Sequence, residues 1–342
     1  MTYLVGKVAL DITAGAPNNG RGEDNTGVVK KLWIGREAFP YVSAQAFRRW
    51  VRDSLPAAEP RSPVTREGQG KKQQAYTDGR PDLYLDDDLF GYMVAIKGEN
   101  FLQRDTALAT GTLVAVAPRR PERDFGTMSR GFPADAHPVI HEHEHYSAEL
   151  AGDILLDLPR VGTFEQEGGG LRRALRADAA AEALTAGARE TRFRDIASIQ
   201  LPLPERRRRV AVLLRTLAEV RGGAQRAMHY GDRSPAFVLL APLKGGSNPF
   251  TRVLTAPDSR VRFDQDTFTE ELSAWAGELD GPVLIGWSPG FLGDQREQAR
   301  RALAGQISGG RLVLEHPRTL LRGLADQIEA GEHDAWFEDP AA

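Results

Sequence analysis

The chain has 342 residues, 41% hydrophobic and 27% charged, as in a globular protein of one large domain or two ordinary ones. It has no cysteine, which excludes disulfides and thiolate metal sites, and no apolar run of membrane length, so we expect a cytoplasmic protein with no membrane partner. The net charge is only −3, but the charges are segregated: acidic residues cluster at 82–88 and basic residues at 48–52, 206–209 and 221–226. A single charged run is typical of a solvated face, whereas several basic clusters together favour a polyanionic partner.

The first predicted elements are a strand, a long loop and an amphipathic helix. Residues 3–11 alternate in polarity as a strand does, and 11–27 are rich in Gly, Asn and Pro. After an extended segment at 30–42, the stretch YVSAQAFRRWVRDSL (41–55) predicts a helix with Ser43 as its N-cap. The apolar face of this helix would hold Phe47, Trp50, Val51 and Leu55. The opposite face would hold Gln45, Arg48, Arg49 and Arg52.

The middle of the chain predicts an insertion, two strands and a hairpin. Residues 56–80 are polar without periodicity, which is typical of a flexible insertion, and a short helix or turn follows at 82–93. Residues 106–118 predict one strand. The basic, turn-rich stretch 118–138 between two extended runs predicts a protruding hairpin. Alternating apolar residues predict another strand at 152–161.

The second half of the chain predicts helices and buried strands. The Ala-rich stretch 172–190 favours a helix. An amphipathic helix at 205–221 would be ended by Gly222 and Gly223. Further elements are expected as a strand at 237–243, a strand at 283–287, and helices at 295–306 and 317–331. The resulting order, β–α–insertion–β–hairpin–β–α–β, is that of the α+β ferredoxin-like fold shared with RNA-recognition domains.

Two features favour other kinds of function. His141, His143 and His145 would share one face of a strand, as zinc-binding histidines can, although no fourth ligand or general base is evident. The alternative is a polar strand whose histidines are solvated or near RNA. The segment VLIGWSPG (283–290) would suit a small-ligand α/β enzyme, but it carries no phosphate-binding or dinucleotide-binding pattern. We therefore predict no metal site and no cofactor.

Four stretches carry a family resemblance: FPYVSAQAFRRWVR (39–52), DLYLDDDLFGYM (82–93), GDILLDLPRVGTF (152–164) and GGAQRAMHYGDRSPAFVLLAPLKGGSNPF (222–250). With them the chain resembles the backbone subunit of type I CRISPR Cascade complexes, in the DevR (type I-B) branch of the Cas-seven family. The resemblance covers residues 1–250 and is loose over the last ninety.

The resemblance implies an RNA-recognition-like palm with an inserted fingers region and a β-hairpin thumb. The palm would comprise residues 1–55, 106–117 and 146–260, the fingers 56–105, the thumb 118–145, and a C-terminal α/β extension 261–342. Copies would stack head-to-tail along one CRISPR RNA, kink it at intervals, and present it for pairing with target DNA in antiviral defence or guided transposition. Other partners would be the large and small subunits, the five-prime-handle subunit and the repeat-processing endonuclease of Cascade.

A subunit that holds many different guides must grip phosphate and sugar and leave base edges free. The candidate RNA-binding residues are Lys30, Lys31, Ser43, Gln45, Arg48, Arg49, Arg52, Gly222, Gly223, Gln225 and Arg226. The candidate base-kinking residues of the thumb are Arg123, Phe125, Met128 and Arg130. No aromatic signature of an RNA-recognition motif is present, so base stacking on the sheet is not predicted.

The resemblance leaves one alternative function open. Type III relatives cut target RNA with an aspartate in the loop that here contains Asp24. A carboxylate there could orient a metal ion or the attacking 2′-hydroxyl. The DevR-type motifs favour instead a non-catalytic, DNA-targeting subunit.

Overall fold

The computed structural model describes residues 1–22, 26–70, 73–94, 102–133, 137–166 and 173–339. The strands are β1 Thr2–Gly15, β2 Asn19–Arg21, β3 Gly27–Val29, β4 Lys31–Ile34, β5 Glu37–Val42, β6 Val64–Glu67, β7 Gln74–Thr77, β8 Tyr92–Val94, β9 Leu102–Arg104, β10 Leu108–Thr110, β11 Leu113–Ala115, β12 Glu122–Met128, β13 Val139–Asp157, β14 Thr163–Glu165, β15 Arg189–Phe193, β16 Ile196–Gln200, β17 Phe237–Lys244, β18 Leu254–Thr255, β19 Arg262–Phe263, β20 Val283–Trp287 and β21 Leu312–Glu315. The helices are α1 Ala44–Ser54, α2 Leu85–Phe90, α3 Ala177–Thr185, α4 Leu203–Leu217, α5 Gln265–Ala274, α6 Gln295–Ala302, α7 Ala304–Ser308 and α8 Pro317–Ala330.

One large mixed sheet organises the fold, in the order β21–β20–β17–β1–β13–β11–β5–β4. Its four central strands, β17, β1, β13 and β11, are antiparallel to one another. In the chain, α1 lies between β1 and β11, and α4 lies between β13 and β17. This connectivity and strand order are those of the split βαβ arrangement, as the order of elements in the sequence predicted.

The central strands are covered on both faces. Along β1, Leu4 and Val8 pack in the same core as α1, α4 and α8, whereas Val5 and Ala9 pack in a second core with α5 and α6. Successive side chains of a strand point to opposite faces, so these two cores lie on opposite sides of the sheet. The near-continuous apolar character of the first strand follows from this double burial.

Strand β13 is 19 residues long and joins the central sheet to a hairpin. Its first residues pair with β12 from Met128↔Val139 to Glu122↔His145, which is the predicted hairpin. The single strand predicted at 106–118 is instead two strands. Thr110 pairs with Ile154 in β10, and Val114 pairs with Ala151 in β11, so one extra residue lies between the two pairings. Such a bulge bends a strand, and it interrupts the ladder here.

The helix predicted at 205–221 ends earlier, at Leu217, with Ala218 as its C-cap. Gly222 and Gly223 therefore do not stop it, and that part of the prediction is wrong. Beyond the helix, residue 221 is bound to the neighbouring helix α1: the Arg221 N–H donates to Ser54 Oγ, and Ser54 Oγ–H donates to the Arg221 carbonyl, both at 2.8 Å.

The charged runs at 82–88 and 206–209 are only partly exposed. In the second run, Arg206 and Arg209 are buried, and the half-buried Arg207 and Arg208 pair with Asp334 and Glu59. Asp88 is fully buried in α2 and binds Arg104 together with Arg209 of α4, whose Nη1 lies 2.7 Å away. The Gly162 N–H also donates to Asp88, at 3.0 Å. Arg206 is buried as well and donates to backbone carbonyls. The run at 206–209 thus ties α4 to other parts of the protein, and its arginines are bound by protein groups instead of being open to a polyanion.

The remaining differences concern the insertion and the C-terminal part. Residues 56–80 hold the β6–β7 hairpin, where no regular structure was expected. The helix expected at 295–306 is divided into α6 and α7. Within the described ranges, no helix is long and apolar enough to span a bilayer.

Candidate nucleic-acid interface

Helix α1 forms as its sequence predicts. Ser43 has an extended backbone, and its Oγ accepts the Ala46 N–H at 3.3 Å, which satisfies one of the free amides at the start of the helix. Phe47, Trp50 and Val51 are buried in the core below. The polar face of α1 is therefore directed away from the sheet, with the positive end of the helix dipole at Ser43.

The beginning of the segment 221–236 packs against α1. A β-carbon at Gly222 would be 2.6 Å from Cβ and 2.8 Å from Cδ1 of Trp50, so only glycine permits this approach. Gly223 adopts φ +93°, and the Ala224 N–H donates to the Pro17 carbonyl at 2.9 Å. The two glycines thus serve contact between the loop and the protein, and Gln225 and Arg226 follow shortly after them in the chain.

The three arginines of α1 have different surroundings. Arg52 lies 3.8 Å from Asp86 and stacks over the Phe90 ring, 4.9 Å from its centroid, so it ties α1 to α2. Arg49 makes an exposed ion pair with Asp53 at 3.3 Å. Arg48 is half-buried and has no carboxylate partner within the described residues. With the exposed amide of Gln45, Arg48 and Arg49 form the open polar face of this helix.

The two lysines before α1 also differ. Lys31 Nζ lies 2.9 Å from Glu144, and that carboxylate accepts the Val29 N–H at 2.9 Å as well. Lys31 is thus bound to β13. Lys30 is half-buried, with no acidic partner in the part of the chain that the structure describes. It leaves a second uncompensated positive charge near the start of the helix.

The hairpin side chains predicted to kink a nucleic acid are exposed but do not act as one surface. Phe125 is 64% exposed and Met128 is 52% exposed. They are three residues apart on β12, so they point to opposite faces of the hairpin. Arg123 lies 3.6 Å from Glu142, and Arg130 is exposed in the turn after the strand.

The three histidines predicted to share one face of a strand do so, and His229 lies against two of them. His141, His143 and His145 lie opposite alternate residues of β12. The His229 ring, from the segment 221–236, lies 5.3 Å from the His143 ring and 5.4 Å from that of His145. Among the residues that the structure describes, no three acidic or imidazole side chains are arranged to hold a metal ion. The sequence did not point to His229, because no local pattern links it to the three histidines of β13.

Asp24, the residue of the alternative nuclease function, lies outside the described residues.

No protein-family model and no curated protein matches the chain. Solved structures do match the chain. A chain described as "CRISPR RNA-guided surveillance complex, pre-nicking" is 13% identical, with a TM-score of 0.57, and the match covers 96% of this chain and 99% of that one. A chain described as "CRISPR RNA-guided surveillance complex" is 14% identical, with a TM-score of 0.49, covering 95% and 98%. The first match shows that the chain has, over almost its whole length, the fold of a chain from such a complex.

Proposed function

We propose that this protein is a non-catalytic subunit that holds CRISPR RNA in the backbone of a type I Cascade complex, in the DevR branch of the Cas-seven family. The observation that carries the proposal is the meeting of α1 with the segment 221–226, two basic segments far apart in sequence. The full-length fold match supports it, because such a match would be unexpected for a small-ligand enzyme built on residues 283–290.

The chemistry of this surface suits a sequence-independent grip on RNA. Arg48 and Arg49 can donate to phosphate oxygens, and the amide of Gln45 can reach phosphate or 2′-hydroxyl groups. The N-terminal amides of α1 add a dipole that favours phosphate. Arg226, exposed on the docked loop, extends the positive surface. None of these contacts needs a base edge, so the guide would stay free to pair with target DNA.

The palm, fingers and thumb divisions belong to the same proposal. The β12–β13 hairpin would be the thumb, and α2 with β6–β9 would be the fingers. Copies of the chain would follow one another along the guide, together with the large, small, five-prime-handle and repeat-processing subunits. Since Phe125 and Met128 lie on opposite faces of the hairpin, only one of them would enter a given base step.

The test is binding of the purified full-length chain to fluorescently labelled single-stranded RNAs of unrelated sequence, over a series of salt concentrations. Affinity should depend little on sequence and fall steeply with salt, because phosphate contacts release counterions. In the variant Arg48→Ala/Arg49→Ala, the slope of log affinity against log salt should lose about 0.7 for each contact removed.

The matched control is Arg300→Ala/Arg301→Ala, which removes two adjacent arginines from α6 on the other side of the sheet. This control should bind RNA like the unaltered protein. Strong preference for one sequence, a flat salt profile, or equal losses in both double variants would contradict the proposal. Sequencing of RNA that co-purifies from cells carrying a CRISPR array should return array-derived guides.

A further inference from the structure

A cluster of imidazoles occupies the junction between the base of the hairpin and the segment 221–236. His143 is 5% exposed, and its ring stacks with His141 at a centroid distance of 6.2 Å. His229 lies against both His143 and His145, with its ring nearly parallel to that of His145. Neutral imidazoles are both donors and acceptors, so this cluster can bind polar groups in two protonation states.

The buried polar atoms of this cluster lack partners. Both ring nitrogens of His143, Nδ1 of His145 and Nε2 of His229 are buried without a hydrogen bond. Each such atom costs free energy unless a bound group satisfies it. Several together, contributed by β13 and by a separate loop, indicate a place where a polar ligand completes the structure.

A buried cation indicates that the ligand carries negative charge. Arg233 is 2% exposed, and its Nε and Nη2 have no hydrogen-bond partner. Its Nη1 donates only to the carbonyl of Asp232, at 3.3 Å, and no carboxylate lies within ion-pair distance in the described ranges. A guanidinium buried without an anion is strongly unfavourable. The missing partner is therefore an anion with several acceptor oxygens.

The cluster adjoins the proposed RNA surface. Gly27 pairs with His143, and a β-carbon at Gly27 would lie 3.6 Å from both His143 Cβ and Gln225 Nε2. The amide of Asn19, another buried group without partners, lies 3.9 Å from the same point. A phosphate bound here would thus lie beside the loop that carries Gln225 and Arg226.

We infer that His143, His145, His229 and Arg233 form a binding site for a phosphate group of the guide RNA, and that His229 takes up a proton as that phosphate binds. This inference rests on the proposed function and adds a site to it. The phosphate oxygens would accept hydrogen bonds from the buried nitrogens, and each imidazole that gains a proton gains a second donor.

The surrounding charges set the direction of the pH effect. Burial lowers the pKa of His229, and the neighbouring His143 and His145 lower it further; Asp124 acts in the opposite direction, and Arg233 again lowers it. Asp124 on β12 lies 3.5 Å from His143 Nε2. Among the residues that the structure describes, further charged or titratable groups at the site are His141, beside His143, and Tyr146, Arg226 and Asp232, near Arg233. His229 is thus neutral near pH 7 without ligand, and a phosphate, by raising its pKa, makes binding tighter as the pH falls.

The experiment measures affinity of the full-length chain for single-stranded oligouridylate RNA between about pH 8 and about pH 6 at constant ionic strength. The unaltered protein should bind more tightly at the lower pH, by up to about tenfold per pH unit for each proton taken up. In His143→Gln/His229→Gln, which keeps neutral hydrogen-bonding groups, this gain should be lost. The single variant His229→Gln, at a half-buried position, should lose the gain even if the double variant folds poorly.

His316→Asn is the matched control, because His316 is an exposed N-cap and asparagine can replace it there. It should keep the full pH dependence. RNA binding that ignores pH, or an unchanged pH profile in both glutamine variants, would overturn the inference and leave guide holding intact. Absence of RNA binding at every pH would refute the proposed function itself. Imidazole NMR shifts caused by inorganic phosphate, without pH-dependent RNA binding, would show that the ligand is free phosphate and overturn the assignment to RNA.

Discussion

The buried ion cluster around Asp88 allows a quantitative test of why the chain carries four consecutive arginines. Asp88→Asn keeps the shape of the side chain and removes its charge. Asp88 is fully buried and binds Arg104, Arg209 and the Gly162 N–H. In the variant, two buried guanidiniums lose their common carboxylate at once.

The expected loss is large. Removing one partner of a buried ion pair typically costs about 3–5 kcal/mol, because the remaining charge is left uncompensated away from water. Here two cations share the carboxylate, but each keeps a second one: Glu165 lies 3.7 Å from Arg104, and Glu205 lies 2.8 Å from Arg209. We therefore expect a loss near the lower end of that range. Both arginines keep bonds to backbone carbonyls, which limits the effect: Arg104 donates to Thr163 and Arg209 to Pro81.

The assay is unfolding in guanidinium chloride followed by circular dichroism, with Asp53→Asn as the matched control. Asp53 pairs with Arg49 at 3.3 Å on the surface of α1, so its loss should cost only about 0.5 kcal/mol. The midpoint should fall far more for Asp88→Asn than for the control. Equal midpoints for the two variants would refute the reasoning, and the basic run would again be a candidate for binding RNA.

Two further predictions concern the RNA surface. Gly222→Ala should destabilise the protein by about 1–3 kcal/mol and weaken RNA binding, because the new methyl group overlaps Trp50 and lifts the loop off α1. The added methyl group itself would not contact RNA. Gly277→Ala, where nothing lies within 4 Å, should change neither stability nor RNA binding in the same unfolding and binding assays. Phe125→Ala and Met128→Ala, compared singly by chemical probing of an assembled guide, should differ: only one should remove the periodic reactivity of splayed bases, since the two side chains lie on opposite faces. Equal effects from both, or from neither, would count against a wedge on this strand.

Where neighbouring residues decide the structure, the sequence was sufficient. Ser43 was predicted as the N-cap of α1, and Phe47, Trp50 and Val51 as its buried face, because capping and helical periodicity act within a few residues. The succession of the central strands and helices along the chain followed in the same way from alternating apolar segments and turn-rich loops. The wrong helix end at Gly222 marks the limit, since that glycine is required by Trp50, which is 172 positions away in the chain.

Only the tertiary structure decided which charges are available for binding. A run of arginines has the same local pattern whether it faces water or a buried carboxylate, and the partner of Arg209 is Asp88, in a different element. Likewise, His229 meets His143 only because the segment 221–236, which begins against α1, reaches the base of the hairpin. Local sequence carries no signal for such pairings, because the free energy of a charged side chain depends on the solvent and partners that the folded chain places around it.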